Sequence, residues 1–469
     1  MGLFNNNIEI DLENPFKNDK LQREAEVKSL TSLFEVIDNQ MVLAINSEWG
    51  TGKSSFLRMW NQYIKNEGYN TVFFNAWEND FVDDPFIAFV NEINNNLSCN
   101  NKTKGFLQKA KDAGLALVKH TPQIASTIIK NKTGFDTDEF ISNEDIKQFI
   151  SDKIDNYNDN KNTINIFKKE LEEISNAEFE ENKKPMIIFV DELDRCRPDY
   201  AISLLERIKH FFNVQNIIFI LGIDKEALSN SIRVIYGEQT DINGYLTRFI
   251  DIEYKLKESN REIFIKYLLD RYKFQDIFNS RICFENVVSV ERDIKEFTKI
   301  IISAMIGFKL SLRDIEKVIV QIYMLLKANF KDYIYPYPLI LLLVIKRINK
   351  DMYNKIKSNQ IFYMQFENII ADYNTETAKW IESNDSSMFK AYSIWLLNDV
   401  DEINKLKKYV EEASQKNSYD DKNVRCLELY NWIVSNKGYP MTFYDYNGIK
   451  NHLCRMVELY DDFNIVKTN

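Results

Sequence analysis

Met41-Val42-Leu43-Ala44-Ile45-Asn46-Ser47-Glu48-Trp49-Gly50-Thr51-Gly52-Lys53-Ser54-Ser55-Phe56 is the stretch that decides the fold. Its apolar start, Met41 to Ile45, reads as a buried strand, and Ser55-Phe56-Leu57-Arg58-Met59-Trp60 reads as a helix. Strand, glycine-containing loop and helix in that order form a phosphate-binding loop. Gly50 and Gly52 let the backbone curl until its N–H groups point at phosphate oxygens. The helix N-terminus beyond adds partial positive charge. Lys53 is placed to reach β- and γ-phosphates, and the Ser54 hydroxyl suits a Mg²⁺ ion. Glu48, Trp49, Gly50, Thr51, Gly52, Lys53, Ser54 and Ser55 are therefore expected to line the phosphates of a bound nucleotide. One position departs from the usual pattern: Ser47 opens the loop where glycine is normal.

Working outward, Met186-Ile187-Ile188-Phe189-Val190 is a second buried-strand pattern, and it runs into Asp191-Glu192-Leu193-Asp194-Arg195. Asp191 falls at the carboxyl end of that strand, where ligands bind in open α/β sheets. A carboxylate there belongs with Mg²⁺. Glu192 is the natural group to orient and deprotonate an attacking water, and Asp194 competes for that role. A third strand, Asn216 to Ile223, ends in Asp224, which is placed either to sense a γ-phosphate or to cap the following helix. Thr71 to Glu78 reads as the strand beside the phosphate-loop strand, with Asn75 or Glu78 near nucleotide or water.

Together these pieces resemble the KAP family of P-loop NTPases, part of a larger AAA-like and STAND-like group. The matching segments are Trp49 to Phe56, Phe74-Asn75-Ala76-Trp77-Glu78, Val190 to Cys196, Phe219 to Asp224 and Tyr245-Leu246-Thr247-Arg248-Phe249. The likeness spans roughly residues 10 to 325. Glu192 stands where the family more often has Asp, which leaves the catalytic carboxylate open. The resemblance implies two further residues: Arg248 as an arginine finger, and Arg313, in Leu310-Ser311-Leu312-Arg313-Asp314-Ile315, as a sensor arginine of a helical lid. A planar guanidinium binds phosphate oxygens in pairs, which suits both roles. Family likeness also implies ATP and Mg²⁺ as ligands. It suggests a place in bacterial anti-phage defence, and the lack of a catalytic motif, metal spacing or basic stripe in 331–469 points to a regulator of a partner encoded nearby.

Composition narrows the class. A net charge of -10 over 469 residues argues against a generally basic nucleic-acid binder. Five cysteines without C-x-x-C spacing and three scattered histidines suggest neither zinc site nor disulfide scaffold. No signal-peptide pattern opens the chain, and the longest apolar runs, Pro338 to Ile345 and Gly114 to Ile129, are too short or too polar to span a bilayer. A cytoplasmic protein is expected.

The expected architecture is α/β: a doubly wound parallel-sheet P-loop NTPase core over 1–256, a helical lid over 257–330 and an α-helical C-terminal domain over 331–469. Within the core, 98–183 reads as a soluble insert, with a loop at Gly134 to Asp138 and long exposed helices from Ile141 to Ser175. A helix ahead of the core carries Val27, Leu30, Leu33, Phe34 and Ile37. Lid helices are expected at Arg261–Tyr272, Val287–Met305 and Leu312–Ala328, and Pro336 and Pro338 mark a boundary. Trp380, Tyr392, Trp395, Tyr430 and Trp432 suit helix cores better than ligand platforms. The function expected is Mg²⁺-dependent ATP hydrolysis, with self-association or a protein partner. A slow-turnover switch and a metabolite kinase are the competing readings.

Overall fold

Three strands buried on both faces stand at the centre of the first unit, residues 7–258, and make it a three-layer body. The computed structural model describes residues 9–35, 40–82, 85–97, 165–280 except 167, 170, 178, 182 and 212, then 290–328, 336–415 and 446–459. The expectations for Gly114 to Ile129, the loop at Gly134 to Asp138, most of Ile141 to Ser175, Ile37, Tyr430 and Trp432 lie outside the described residues.

Five parallel strands run β1 (Met41–Asn46), β2 (Thr71–Asn75), β3 (Met186–Asp191), β4 (Ile217–Ile223) and β5 (Ile252–Lys255). Their order across the sheet is β2-β3-β4-β1-β5. Side chains alternate between the two faces. Leu43 and Ile45 of β1, Ile187 and Phe189 of β3, and Ile218 and Ile220 of β4 meet α1 (Glu24–Thr31) and α2 (Lys53–Asn66) through Val27, Leu30, Phe56, Trp60 and Ile64. Val42, Ala44, Ile188, Val190, Phe219 and Leu221 face the other way. They meet α3 (Pro85–Leu97), α4 (Pro198–Phe211) and α5 (Lys225–Tyr236). Trp60 is fully buried, stacked on Phe34 at 5.8 Å and edge-on to Phe189 at 5.7 Å, with its indole N–H donated to Thr31.

One expectation is overturned. β2 does not lie beside the phosphate-loop strand: β1 pairs with β4 and β5, and β2 is the edge strand, paired with β3 so that Asn75 sits opposite Asp191. Parallel strands are joined by long crossovers, so succession in sequence does not fix adjacency. β2 suits an edge because Phe73 and Asn75 are only half-buried, whereas β3 is buried throughout. The strand also stops at Asn75 instead of running to Glu78. The Asn75 Oδ1 accepts from the backbone N–H of Trp77 and Glu78 and turns the chain into a short 3₁₀ helix, Trp77–Asn79. A five-residue helix α6 (Ile242–Leu246) precedes β5.

The second unit covers residues 259–469 and is helical in its described residues. α7 (Arg261–Arg271), α8 (Phe274–Ser280), α9 (Val290–Gly307) and α10 (Leu312–Ala328) come first. The expected start of α9 at Val287 lies outside the described residues. Then follow α11 (Pro336–Ile348), α12 (Lys350–Lys357), α13 (Tyr363–Ala371), α14 (Thr375–Glu382), α15 (Ser387–Leu397), α16 (Val400–Gln415) and α17 (Tyr446–Leu459). Pro336 takes the first position of α11, where a missing N–H costs nothing. The run Leu339 to Ile345 is buried and packs against α9, α12, α15 and α17. Phe308 lies 5.3 Å from Trp380 and 5.4 Å from Phe389. Gly307 admits Trp380 so closely that a Cβ would meet its ring at 2.2 Å. Among the described residues no helix is long and apolar enough to cross a membrane.

Candidate functional site

The carboxyl ends of β1, β3 and β4 converge, and the loop after β1 wraps the space between them. Gly50 and Gly52 hold φ of 80° and 91°, a region closed to most side chains, and Gly52 stands immediately before α2. Ser47 carries no such strain. Its backbone N–H donates to Ile223, and its hydroxyl contacts Thr51 Oγ1 at 2.5 Å. Since the Thr51 proton goes to the Glu48 carbonyl, Ser47 is the donor in that contact. A serine can therefore open the loop because it ties the two ends together. Glu48 and Trp49 are exposed at the rim, and Ser55 is half-buried in the first turn of α2.

Lys53 points inward. Its side chain is only 8% exposed, its ammonium donates to the Ser47 carbonyl at 3.1 Å, and it lies 3.6 Å from Asp194. Burial pulls its pKa down, and Asp194, Asp191 and Asp224 pull it back up. Asp191 is fully buried at the end of β3. Its carboxyl is pushed up to about 6, first by burial, while a hydrogen bond from Ser54 opposes that shift. Asp191 Oδ1 accepts from the Glu192 N–H at 2.9 Å, and the buried Oδ2 has no hydrogen-bond partner among the described residues. An unpartnered buried carboxylate oxygen beside a hydroxyl is a donor set that fits Mg²⁺. Among the described residues no cluster of three or more His, Cys, Asp or Glu forms a metal cage. An ion held here by Ser54 and Asp191 would take its other ligands from phosphate and water.

Glu192 adopts φ of +59°, uncommon for a residue with a side chain and costing about 1 kcal/mol or more. That turn carries its carboxylate to Arg195 at 2.8 Å and within 3.4 Å of the Asn75 amide. The Asn75 amide also donates to Glu78 at 2.8 Å. Arg195 in turn lies over the Trp77 ring at 5.7 Å. Asp194 is enclosed, with one oxygen toward Lys53 and the other accepting from the Trp49 indole. Asp224 caps α5, accepting from Glu226 and Ala227, and also accepts from the Trp49 N–H at 3.2 Å.

Two residues escaped the reading of the sequence. Gly222 lies on β4 beside Asp191; a Cβ there would meet Leu57 at 2.4 Å and Asp191 Oδ1 at 2.9 Å, so even alanine would displace the carboxylate. The sequence signal was a lone glycine in a buried strand. Arg195 was visible only as the third residue after Glu192, a spacing that brings side chains together in a helical turn.

The arginines lie elsewhere. Arg248 is exposed after α6, ahead of β5, with its guanidinium over Tyr245 at 5.8 Å. Because β5 runs parallel to β1 and Asp251 bonds to Val42 at the start of β1, Arg248 is at the amino end of the sheet. The phosphate loop is at the opposite end. Arg313 is exposed in the first turn of α10, in the second unit.

Among known proteins, the sequence matches the KAP family P-loop domain over residues 25–329. No curated protein matches it. Among solved structures, the ORC2 protein of Aeropyrum pernix in ADPNP–ADP complexes is similar at 12% identity, over 94% of this chain and 93% of that one, with a TM-score of 0.33. A DNA replication initiation factor is similar at 14% identity, over 74% and 92%, with a TM-score of 0.27. Likenesses at those scores bear no weight for this chain.

Proposed function

The chain belongs to the KAP family of P-loop proteins, and from that premise we propose that it binds ATP with Mg²⁺ and hydrolyses it to drive or time a change in a protein partner. The observation that carries this reading is the meeting of Lys53, Ser54, Asp191 and Glu192 at one end of the sheet, beside a loop whose Gly50 and Gly52 hold positive φ. In the proposed reaction water attacks the γ-phosphate. Mg²⁺, held by Ser54 and Asp191, would supply charge neutralisation across the phosphates. Lys53 binds phosphate oxygens as a cation. Glu192, kept in place by Arg195, accepts the proton of the water. Asp194 suits the base less well because its carboxylate is enclosed and engaged with Lys53 and Trp49.

Arg248 enters this scheme only from outside. Lying at the amino end of its own sheet, it can reach a phosphate loop only on another molecule, so the finger role requires a second copy or a stimulating partner. Arg313 is proposed as the sensor of the second unit. Phosphate release with Mg²⁺ and ATP tests the whole. Arg248→Ala should lower turnover by about 10³-fold, the scale of a finger supplied in trans, while sparing ATP affinity. Unchanged turnover, with light scattering showing a monomer in ATP, would remove the finger assignment. A slow nucleotide switch would bind ATP equally well but release almost no phosphate even with its partner present. The anti-phage setting rests on family likeness alone, and a plaque assay with the Glu192→Gln variant tests it.

A further inference from the structure

One carboxylate holds the lysine of the phosphate loop. Lys53 Nζ lies 3.6 Å from Asp194 Oδ1, and the Asp194 side chain is entirely closed to solvent. Its other oxygen accepts from the Trp49 indole N–H. The backbone N–H of Trp49 donates to Asp224 Oδ2 at 3.2 Å. Trp49 therefore fastens the phosphate loop to two carboxylates, one of them the counter-ion of the loop's own lysine. Trp49 itself is half-exposed.

A γ-phosphate bound at Lys53 brings further negative charge to the same ammonium. Like charges a few ångströms apart repel strongly where little water screens them. The phosphate and the Asp194 carboxylate therefore compete for Lys53, whose ammonium also donates to the Ser47 carbonyl. A nucleoside diphosphate presents only its β-phosphate to Lys53, whereas a triphosphate adds the γ-phosphate and so sets more negative charge against the Lys53–Asp194 pair.

We propose that Asp194 competes with the γ-phosphate for Lys53 and so sets the preference between nucleoside triphosphate and diphosphate, with Trp49 as its anchor. This rests on the ATP-binding reading above. When the triphosphate takes Lys53, the Asp194 carboxylate turns away and its bond to the Trp49 indole breaks. When the γ-phosphate leaves, the carboxylate recaptures the ammonium and the tryptophan is fastened again. Asp194 acts here as a positioning residue. It raises the barrier to loading with triphosphate and makes the loop's conformation depend on whether the γ-phosphate is present.

Asp194→Asn keeps the shape and an acceptor for the indole but removes the charge. In this variant the dissociation constant for ATP should fall about tenfold, the scale of a hydrogen bond to a charged group, while that for ADP changes no more than about twofold. In the wild type, Trp49 emission should change more on adding ATP than on adding ADP. Because the chain has six tryptophans, the signal is read as the difference between wild type and Trp49→Phe. Trp49→Phe loses one anchor of Asp194 and should raise the ATP:ADP preference a few-fold. An Asp194→Asn protein that melts like the wild type and binds the two nucleotides in the wild-type ratio overturns the proposal. If Asp194→Asn does not fold, an unmoved ratio in Trp49→Phe overturns it instead. A wild type that binds neither nucleotide overturns the ATP-binding reading together with it, which is distinct from binding with an unmoved ratio.

Discussion

Glu192→Gln is expected to hold ATP with an affinity within about twofold of the wild type and to turn it over about 10²- to 10⁴-fold more slowly, the range a positioned base contributes. Glutamine keeps the length of the side chain and an acceptor oxygen for Arg195, 2.8 Å away in the wild type, so the turn after β3 has no reason to rearrange. It cannot take a proton at neutral pH. Asp191 and Ser54, which would hold Mg²⁺, are untouched. The loss should therefore appear in kcat with binding spared, the signature of an interaction made in the transition state. Phosphate release and equilibrium ATP binding, measured on the same preparation, check this. Full turnover in Glu192→Gln would move the base elsewhere, and Asp194 is the first alternative.

Asp191→Asn should produce two opposite effects. Hydrolysis should fall by about 10²- to 10³-fold, because a metal clamp is worth several kcal/mol of transition-state stabilisation and an amide is a poor Mg²⁺ ligand. Stability in magnesium-free buffer should rise. The carboxyl of Asp191 is pushed up from 3.8 to about 6 by burial, so the folded state binds its proton more tightly than the unfolded chain does. A raised carboxyl favours folding below the unfolded value and loses that favour as pH climbs through the folded value. At pH 7 to 8 the buried charge opposes folding by about 3 kcal/mol, an order-of-magnitude figure from a shift of about two units. Asparagine keeps an oxygen for the Glu192 N–H and removes the charge. Its melting midpoint should exceed that of the wild type at pH 7 to 8, and the gap should close near pH 4. A gap independent of pH would mean that Asp191 is not held against its charge.

Some of this was legible in the chain because it is local. A glycine-bearing loop between an apolar strand and a helix, and a five-residue apolar run ending in Asp191, are patterns of neighbours along the sequence. Strand order was not local. β2 follows β1 in the chain yet lies at the far edge, because pairing is decided by which faces must be buried and how crossovers pack. The same holds for contacts that shape the site. Trp49 and Asp194 stand far apart in sequence and meet only because β1 and β3 are both threaded into one sheet. Gly222 stood out only as a lone glycine in a buried strand, and what its missing Cβ allows, the approach of Leu57 and Asp191, depends on packing across the sheet. Arg248 shows the reverse case: family likeness nominated it, and the parallel sense of β5 then fixed that it faces away from its own phosphate loop. Ser47 departs from the usual glycine in a way that only the folded loop explains, through its hydroxyl against Thr51.

Calorimetric titration of the purified chain with ATP in the presence and absence of Mg²⁺ tests the central claim most directly. A saturable heat at one site per chain, tighter with Mg²⁺, is the result predicted by Lys53, Ser54 and Asp191 at the carboxyl ends of β1 and β3. No heat with ATP or GTP up to millimolar concentration, from a protein that melts cooperatively, would contradict it.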